Sequence, residues 1–289
     1  ITEVHNGSSL FTGDAGSGES NARRFIIEND LVEAVIALPT KMFYNTGLGT
    51  FIWVLTNKKS EHRKGKIQLI DATEIKSPLD KNMGEKNCEF TLEIRKRLIQ
   101  IFLDMEENDV SKVFPKEEFG YWNITVERPL RLRVLPNNCI PRTLFKKQYE
   151  YEAVMNAIKS ASEVAPLDSW DEFAKATGLK ASILKKIRPY VTMKDVKAKP
   201  IYGEADPDSR TNEIVPFLYP DGIEGYMENE ILLYTPDAWV DEKKTQIGYE
   251  LSFTKYFFHP HELRSIEDIT SDLRAIEIQM SGALGGVMQ

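Results

Sequence analysis

The 289-residue sequence is poor in cysteine, in histidine and in long apolar runs. Its two cysteines, Cys88 and Cys139, stand far apart and make neither a disulfide framework nor a zinc cluster. A reducing cytoplasm is the simplest compartment for such a chain. The four histidines, His5, His62, His259 and His261, fall at no metal-ligand spacing with cysteine or paired acids. No metal site is expected, and no Ser–His–Asp or Cys–His constellation can be built from these spacings. No apolar stretch approaches the roughly 18 residues that a membrane span needs. Of the 14 prolines no two are adjacent. Internal repeats and low-complexity tracts are absent as well.

What the chain does have is charge, unevenly spread. Its net charge is −7. Residues 1–130 hold 17 basic and 20 acidic side chains, residues 131–199 hold 14 and 7, and residues 200–289 hold 6 and 17. A basic middle segment, net +7, in an acidic chain points to a local anionic partner or to a solvated helical face.

Glu19–Asn29 has helical spacing of Ala22, Phe25 and Ile26. Leu31–Leu38, Thr50–Thr56 and Lys66–Ile70 are short apolar runs rich in branched residues, which predicts three strands covered on both faces by helices. Thr91–Met105 reads as a helix burying Leu92, Ile94, Leu98, Ile99 and Phe102. Phe119–Leu130 reads as extended and closed by Pro129. A proline-containing linker is expected over 131–145, helices over Tyr149–Ser162, Leu167–Ala176 and Ala181–Ile187, and an irregular loop over Lys199–Asp221. Phe253–Phe258 looks strand-like. In the tail, Ile266, Ile269, Leu273, Ile276, Met280, Ala283 and Val287 recur in steps of 3 and 4, a heptad seam that needs a partner helix.

Four segments carry candidate chemistry. Gly13–Ser20 (GDAGSGES) has the glycine spacing of a phosphate loop, but Glu19 stands where that loop needs lysine. A carboxylate there repels phosphate, which excludes a nucleoside triphosphate. A tight turn ahead of a helix and a functional loop both remain open, and Glu19 suits the positive end of a helix dipole. Lys41–Gly49 (KMFYNTGLG) joins two strands and offers Phe43, Tyr44 and Asn45 between glycines. Such a loop suits stacking on a flat ligand, including a flipped base, unless Phe43 caps the core. Asn57–Lys66 brings Lys58, Lys59 and Arg63 to a loop, as phosphate contacts or as a solvated turn. Leu167–Tyr190 has a helix–turn–helix pattern with Gly178 at the turn and Lys185, Lys186 and Arg188 on the second helix. It is either a helical hairpin or a DNA contact.

Read together, NGSSLFTGDAGSGESNARRFIIENDLVEAVIALPTKMFYNTGLGTFIWVLTNKK resembles the downstream half of the methyltransferase domain of HsdM, the modification subunit of type I restriction–modification systems. FGYWNITVERPLR (119–131) resembles the family segment just after that domain, and TPDAWVDEKKTQIGYELSFTKYFF (235–258) its C-terminal signature. The resemblance implies an adenine-N6 DNA methyltransferase using S-adenosylmethionine. The family's Asn-Pro-Pro-aromatic motif and its glycine-rich cofactor loop are not in this chain. The resemblance therefore implies a C-terminal portion that carries no catalytic residue, binds no cofactor alone and is inactive alone. It places Phe43 against the target adenine, with Tyr44 and Asn45 as neighbours, and Asn6, Gly7, Ser8 and Gly13 in a loop near the active face. It also implies DNA, a second methyltransferase subunit, a restriction subunit and an HsdS-like specificity subunit as partners. The specificity subunit is expected to dock on the tail through Ile266, Ile269, Leu273, Ile276 and Met280.

The expected fold is α/β: the C-terminal half of a Rossmann-like methyltransferase sheet over residues 1–90, a connecting helix and extended segment over 91–135, a mainly helical region over 136–262 and a coiled-coil-like tail over 263–289. The competing reading is a non-catalytic module that binds DNA backbone and a protein partner.

Overall fold

The computed structural model describes residues 1–258 and 265–287. The first region comprises β1 (Thr2–Asn6), α1 (Ser8–Phe11), α2 (Gly18–Glu28), β2 (Val32–Ala37), β3 (Thr50–Leu55), β4 (Lys66–Asp71), β5 (Ser77–Met83), β6 (Lys86–Glu89), α3 (Leu92–Asp104) and β7 (Ser111–Pro115). Then come β8 (Gly120–Glu127), β9 (Pro129–Val134), α4 (Gln148–Val164), α5 (Trp170–Thr177), α6 (Ala181–Val191), β10 (Thr192–Lys194), β11 (Pro200–Ala205) and β12 (Thr211–Pro216). The chain continues through α7 (Gly222–Tyr226), β13 (Trp239–Val240), β14 (Gln246–Tyr249), α8 (Phe253–Phe257) and α9 (Ile266–Val287).

The first sheet has the order β1-β3-β2-β4-β7. β2 and β4 are parallel, and β3 is antiparallel to both β1 and β2. The carboxyl ends of β1, β2 and β4 therefore meet at one end of the sheet, where open α/β sheets place their ligands. Strand alternation divides the buried side chains between two faces. Val35, Ile67 and Leu69 pack with Ile27 of α2 and Phe257 of α8, while Ile36 and Ile70 pack with Ile94, Leu98 and Phe102 of α3. Both faces are thus covered. On α3 itself Leu92 and Ile99 turn outward, contrary to the expectation that they are buried.

β8 pairs antiparallel with β12, β13 and β14, and β9 pairs antiparallel with β10 and β11. A separate core joins β9 to α4, α5 and α6 through Val134, Ile158, Phe173 and Ile187. Over residues 136–258 the helices α4 to α8 are joined by five strands, β10 to β14, which the helical expectation did not include. Lys199–Asp221, expected to be irregular, holds β11 and β12. Two of its four prolines sit where a sheet tolerates them, Pro200 opening β11 and Pro216 closing β12. The break expected from residue 131 begins after Val134, because β9 runs to that point. Phe253–Phe258 is not a strand: Ser252 caps α8 by accepting the Lys255 N–H, and Phe253 stacks on Phe257 one turn later, with ring centroids 5.6 Å apart. The aromatic period there is four residues, not two. Among the described residues, no helix is long and apolar enough to cross a membrane.

Candidate functional site

The loop after β2 stands at the carboxyl end of the sheet. Lys41 takes a left-handed φ of +58°, and a bridge between Phe43 and Thr46 puts Tyr44 and Asn45 at the tip of a tight turn. Phe43 is 38% exposed and Tyr44 58%, so neither ring caps the core. The hairpin β5–β6 braces this loop, and nothing in the sequence reading placed it there. Glu85 N–H donates to the Tyr44 carbonyl at 3.0 Å and Asn87 N–H to the Lys41 carbonyl at 3.0 Å. Gly84, at φ +61°, permits the approach: a Cβ there would sit 2.9 Å from the Tyr44 carbonyl oxygen. The one local signal for the hairpin is the Met-Gly turn between two short polar runs.

Asn6, Gly7 and Ser8 follow β1 at the same end. They line a cleft of about 370 Å³ together with Leu48 and Gly49, from the far end of the aromatic loop, and Glu250, Ser252 and Thr254. Gly13 is not part of it. The Gly13–Ser20 stretch folds onto itself: Ser17 caps α2 by accepting the Ser20 N–H, and Glu19 lies in the first helical turn. The space a Gly13 side chain would fill is taken by Ser17 Oγ and by Glu19, whose Oε2 lies 3.1 Å away. Its backbone is a helix start filled by its own side chains, with no open cradle for an anion.

The third wall of the cleft comes from 200 residues downstream. Arg23 Nε donates to the Tyr249 carbonyl at 2.8 Å, Leu251 N–H to the Leu10 carbonyl at 3.0 Å, and the rings of Phe51 and Phe253 lie 5.1 Å apart. Lys112 Nζ donates to the Tyr256 carbonyl at 2.5 Å, Tyr256 Oη–H to Glu118 at 2.9 Å and Tyr249 Oη–H to Glu28 at 3.4 Å. Burial, reinforced by Glu28, pushes the Tyr249 phenol up to about 12. Burial and the Glu118 contact raise Tyr256 further. A phenol whose folded pKa is raised holds its full stabilising effect below its unfolded pKa of about 10 and loses it as pH rises through the folded value. Thermal stability is therefore expected to fall between about pH 10 and about pH 12. Calorimetry should show a shallower fall for Tyr249→Phe; an equal fall in both proteins would remove Tyr249 as a cause.

The basic candidates divide into two groups. Lys58, Lys185 and Lys186 are exposed. Lys59 is not free for phosphate: its side chain is 2% exposed, with Nζ 2.5 Å from Asp30 Oδ1 and 2.7 Å from the Lys66 carbonyl. Arg63 is also internal, 3.4 Å from Glu33 and 4.2 Å above the Phe102 ring, and it donates to Gln68 and to the Phe102 carbonyl. Burial lowers its pKa against the opposing pull of Glu33. Arg188, on α6 after the Gly178 turn, forks onto Glu204 at 2.9 and 2.6 Å. On α9 the side chains of Ile266, Ile269, Leu273, Ile276 and Met280 are all exposed. Those of Ala283 and Val287, together with His259 and His261, lie outside the described residues. His5 sits 3.0 Å from Glu3.

Residues 4–126 match the profile of the N-6 DNA methylase family. The chain is similar to the methylase subunit of the type I restriction enzyme MjaIX of Methanocaldococcus jannaschii, 34% identical over 95 residues, covering 33% of this chain and 16% of that protein. It is similar to the HindI methylase subunit of Haemophilus influenzae, 42% identical over 59 residues, covering 20% of this chain and 13% of that protein. These alignments span far less than two thirds of either relative. The crystal structure of a type I restriction–modification methyltransferase subunit from Streptococcus thermophilus overlays at a TM-score of 0.35 with 21% identity, covering 41% of this chain and 23% of that one.

Proposed function

We propose that this chain, whose residues 4–126 carry an N-6 DNA methylase domain, forms one wall of the target-adenine site in a type I modification subunit. The observation that carries the reading is the exposed Phe43–Asn45 turn, held at the carboxyl end of β2 and β4 inside that domain. A flat ring presented to solvent at a sheet's ligand end is a stacking platform for an unpaired base. Asn6, Gly7 and Ser8 line a 370 Å³ cleft with Leu48 and Gly49, the far end of the same loop, and with Glu250, Ser252 and Thr254. Phe43→Ala should weaken binding of DNA carrying an extrahelical adenine by about 1–3 kcal/mol, roughly 5- to 150-fold. Equal affinities for both proteins in a fluorescence titration would count against the platform.

The parent enzyme uses S-adenosylmethionine as methyl donor, and the sheet is the C-terminal half of its Rossmann-like domain. The residues present do not fit the cofactor, because the glycine turn is filled by Ser17 and Glu19; the catalytic Asn-Pro-Pro-aromatic motif is missing too, since the sequence has no Pro-Pro pair. No catalytic step is assigned to this chain, which alone is inactive. Calorimetry with millimolar S-adenosylmethionine should give no binding heat; saturable binding would overturn that assignment.

DNA-backbone contact is assigned to Lys58, Lys185 and Lys186, the candidates that reach solvent and, among the described residues, close no ion pair. The exposed α9 seam docks on the specificity subunit, and the second methyltransferase and restriction subunits complete the assembly in the cytoplasm. The second reading, a DNA-backbone and partner-binding module without a base site, draws on the same exposed lysines and the same seam. An unchanged affinity in Phe43→Ala beside a weakened one in a Lys185→Gln, Lys186→Gln double variant would favour it.

A further inference from the structure

Beside the aromatic turn the hairpin β5–β6 holds a cation that no sequence motif announces. Lys86 opens β6, and its Nζ stands 5.3 Å from the centroid of the Tyr44 ring. The two backbone bonds from Glu85 and Asn87 to the Tyr44 and Lys41 carbonyls join hairpin and loop into one piece. The ammonium is therefore held at a set place relative to the stacking platform. Its charge is unspent. Among the described residues, neither Lys86 nor Lys41 closes an ion pair, whereas Lys76, one residue before β5, pairs with Glu74 at 3.1 Å. Lys86 turns onto Tyr44 and pairs with neither Glu85 nor Glu89, the acids nearest to it along the hairpin.

We propose that Lys86 binds the phosphodiester of the nucleotide whose base rests on Phe43 and Tyr44, an inference that rests on the target-base reading above. A phosphate is tied to its base through one sugar, so the cation that holds it must stand within a nucleotide's length of the platform. Lys86 meets that condition. Lysine suits the task as a point charge that needs no fixed fork geometry. The Tyr44 ring attracts the ammonium itself, with Nζ 5.3 Å from its centroid, so the side chain gives up less freedom on binding than one extended into water. Lys41, exposed and pinned by Asn87, adds charge of the same sign at the other foot of the turn.

The test is an anisotropy titration of the full chain with a DNA duplex carrying one unpaired adenine, from about 50 to about 200 mM salt. One phosphate contact sets the slope of log affinity against log salt by about 0.9. Lys86→Gln should lower that slope by this amount, Lys86→Arg should restore it, and Lys243→Gln, on the exposed Glu242–Lys244 turn outside the DNA-contact candidates, should leave it unchanged. If Phe43→Ala weakens binding while Lys86→Gln keeps the wild-type slope, the phosphate contact is wrong and the base platform stands. If Phe43→Ala and Lys86→Gln both bind as wild type, or the wild-type chain does not bind, both readings fall.

Discussion

Arg63→Ala is expected to destabilise the fold by about 3–5 kcal/mol while leaving the DNA affinity of the folded protein unchanged. The guanidinium is 5% exposed and its partner Glu33 17%, so removing it strands a carboxylate that water barely reaches. Gln68 and the Phe102 carbonyl lose a donor in the same step, and the Phe102 ring loses the cation above it. In a chain of this size each kcal/mol moves the melting temperature by roughly 2–4 °C. Denaturant unfolding measures the loss directly. Lys58→Ala, an exposed change three residues from the single 3-10 turn Glu61–Arg63, should stay within about 0.5 kcal/mol of wild type. A stable Arg63→Ala protein with weakened DNA binding would return Arg63 to the phosphate contacts.

The second large effect concerns α9. Replacing Leu273 and Ile276 with Asp should abolish co-purification with the specificity subunit. Leu273 is 57% exposed and Ile276 51%, so the substitutions remove no intramolecular core and the chain should fold as before. Burying a leucine and an isoleucine at an interface contributes about 1.5–3 kcal/mol each, and two carboxylates in their place add a desolvation cost. The combined loss is about two to four orders of magnitude in affinity before that cost is counted. Retention of the partner by a folded double variant would mean that the seam faces something else.

Some of this was legible locally. The N-terminal signal of α2 lies in adjacent residues: Ser17 as cap, Glu19 in the first turn, then apolar positions at helical spacing. The branched runs of β2, β3 and β4 are short and bounded, and each became a strand. The failures share a cause. β12 is polar and proline-flanked, and it is a strand because β8 supplies a hydrogen-bonding partner 85 residues earlier in the chain, Thr211 facing Val126. α8 has aromatics that satisfy either period, and the Ser252 cap with the Phe253–Phe257 stack decides for the helix. The basic loop shows the same limit for charge. Lys58, Lys59 and Arg63 are equivalent by composition, and only the positions of Asp30 and Glu33 across the fold separate the exposed one from the two that are spent inside.

For the site, the aromatic turn lay on the page as Phe43, Tyr44 and Asn45, because two strands and two glycines frame it. Its surroundings did not. The brace comes from a hairpin 40 residues on, and the opposite wall of the cleft, Glu250 to Thr254, from the far end of the chain. Long-range backbone bonds such as Leu251 N–H to the Leu10 carbonyl leave no periodic trace in a sequence.

The central claim is that the Phe43 turn holds an unpaired adenine by stacking. The direct measurement places 2-aminopurine at the extrahelical position of a DNA duplex and follows its fluorescence as the chain is added, comparing wild type with Phe43→Ala. Stacking on Phe43 predicts fluorescence quenched on binding by the wild-type chain and left bright by Phe43→Ala at saturating protein. Equal signals from the two saturated complexes would contradict it.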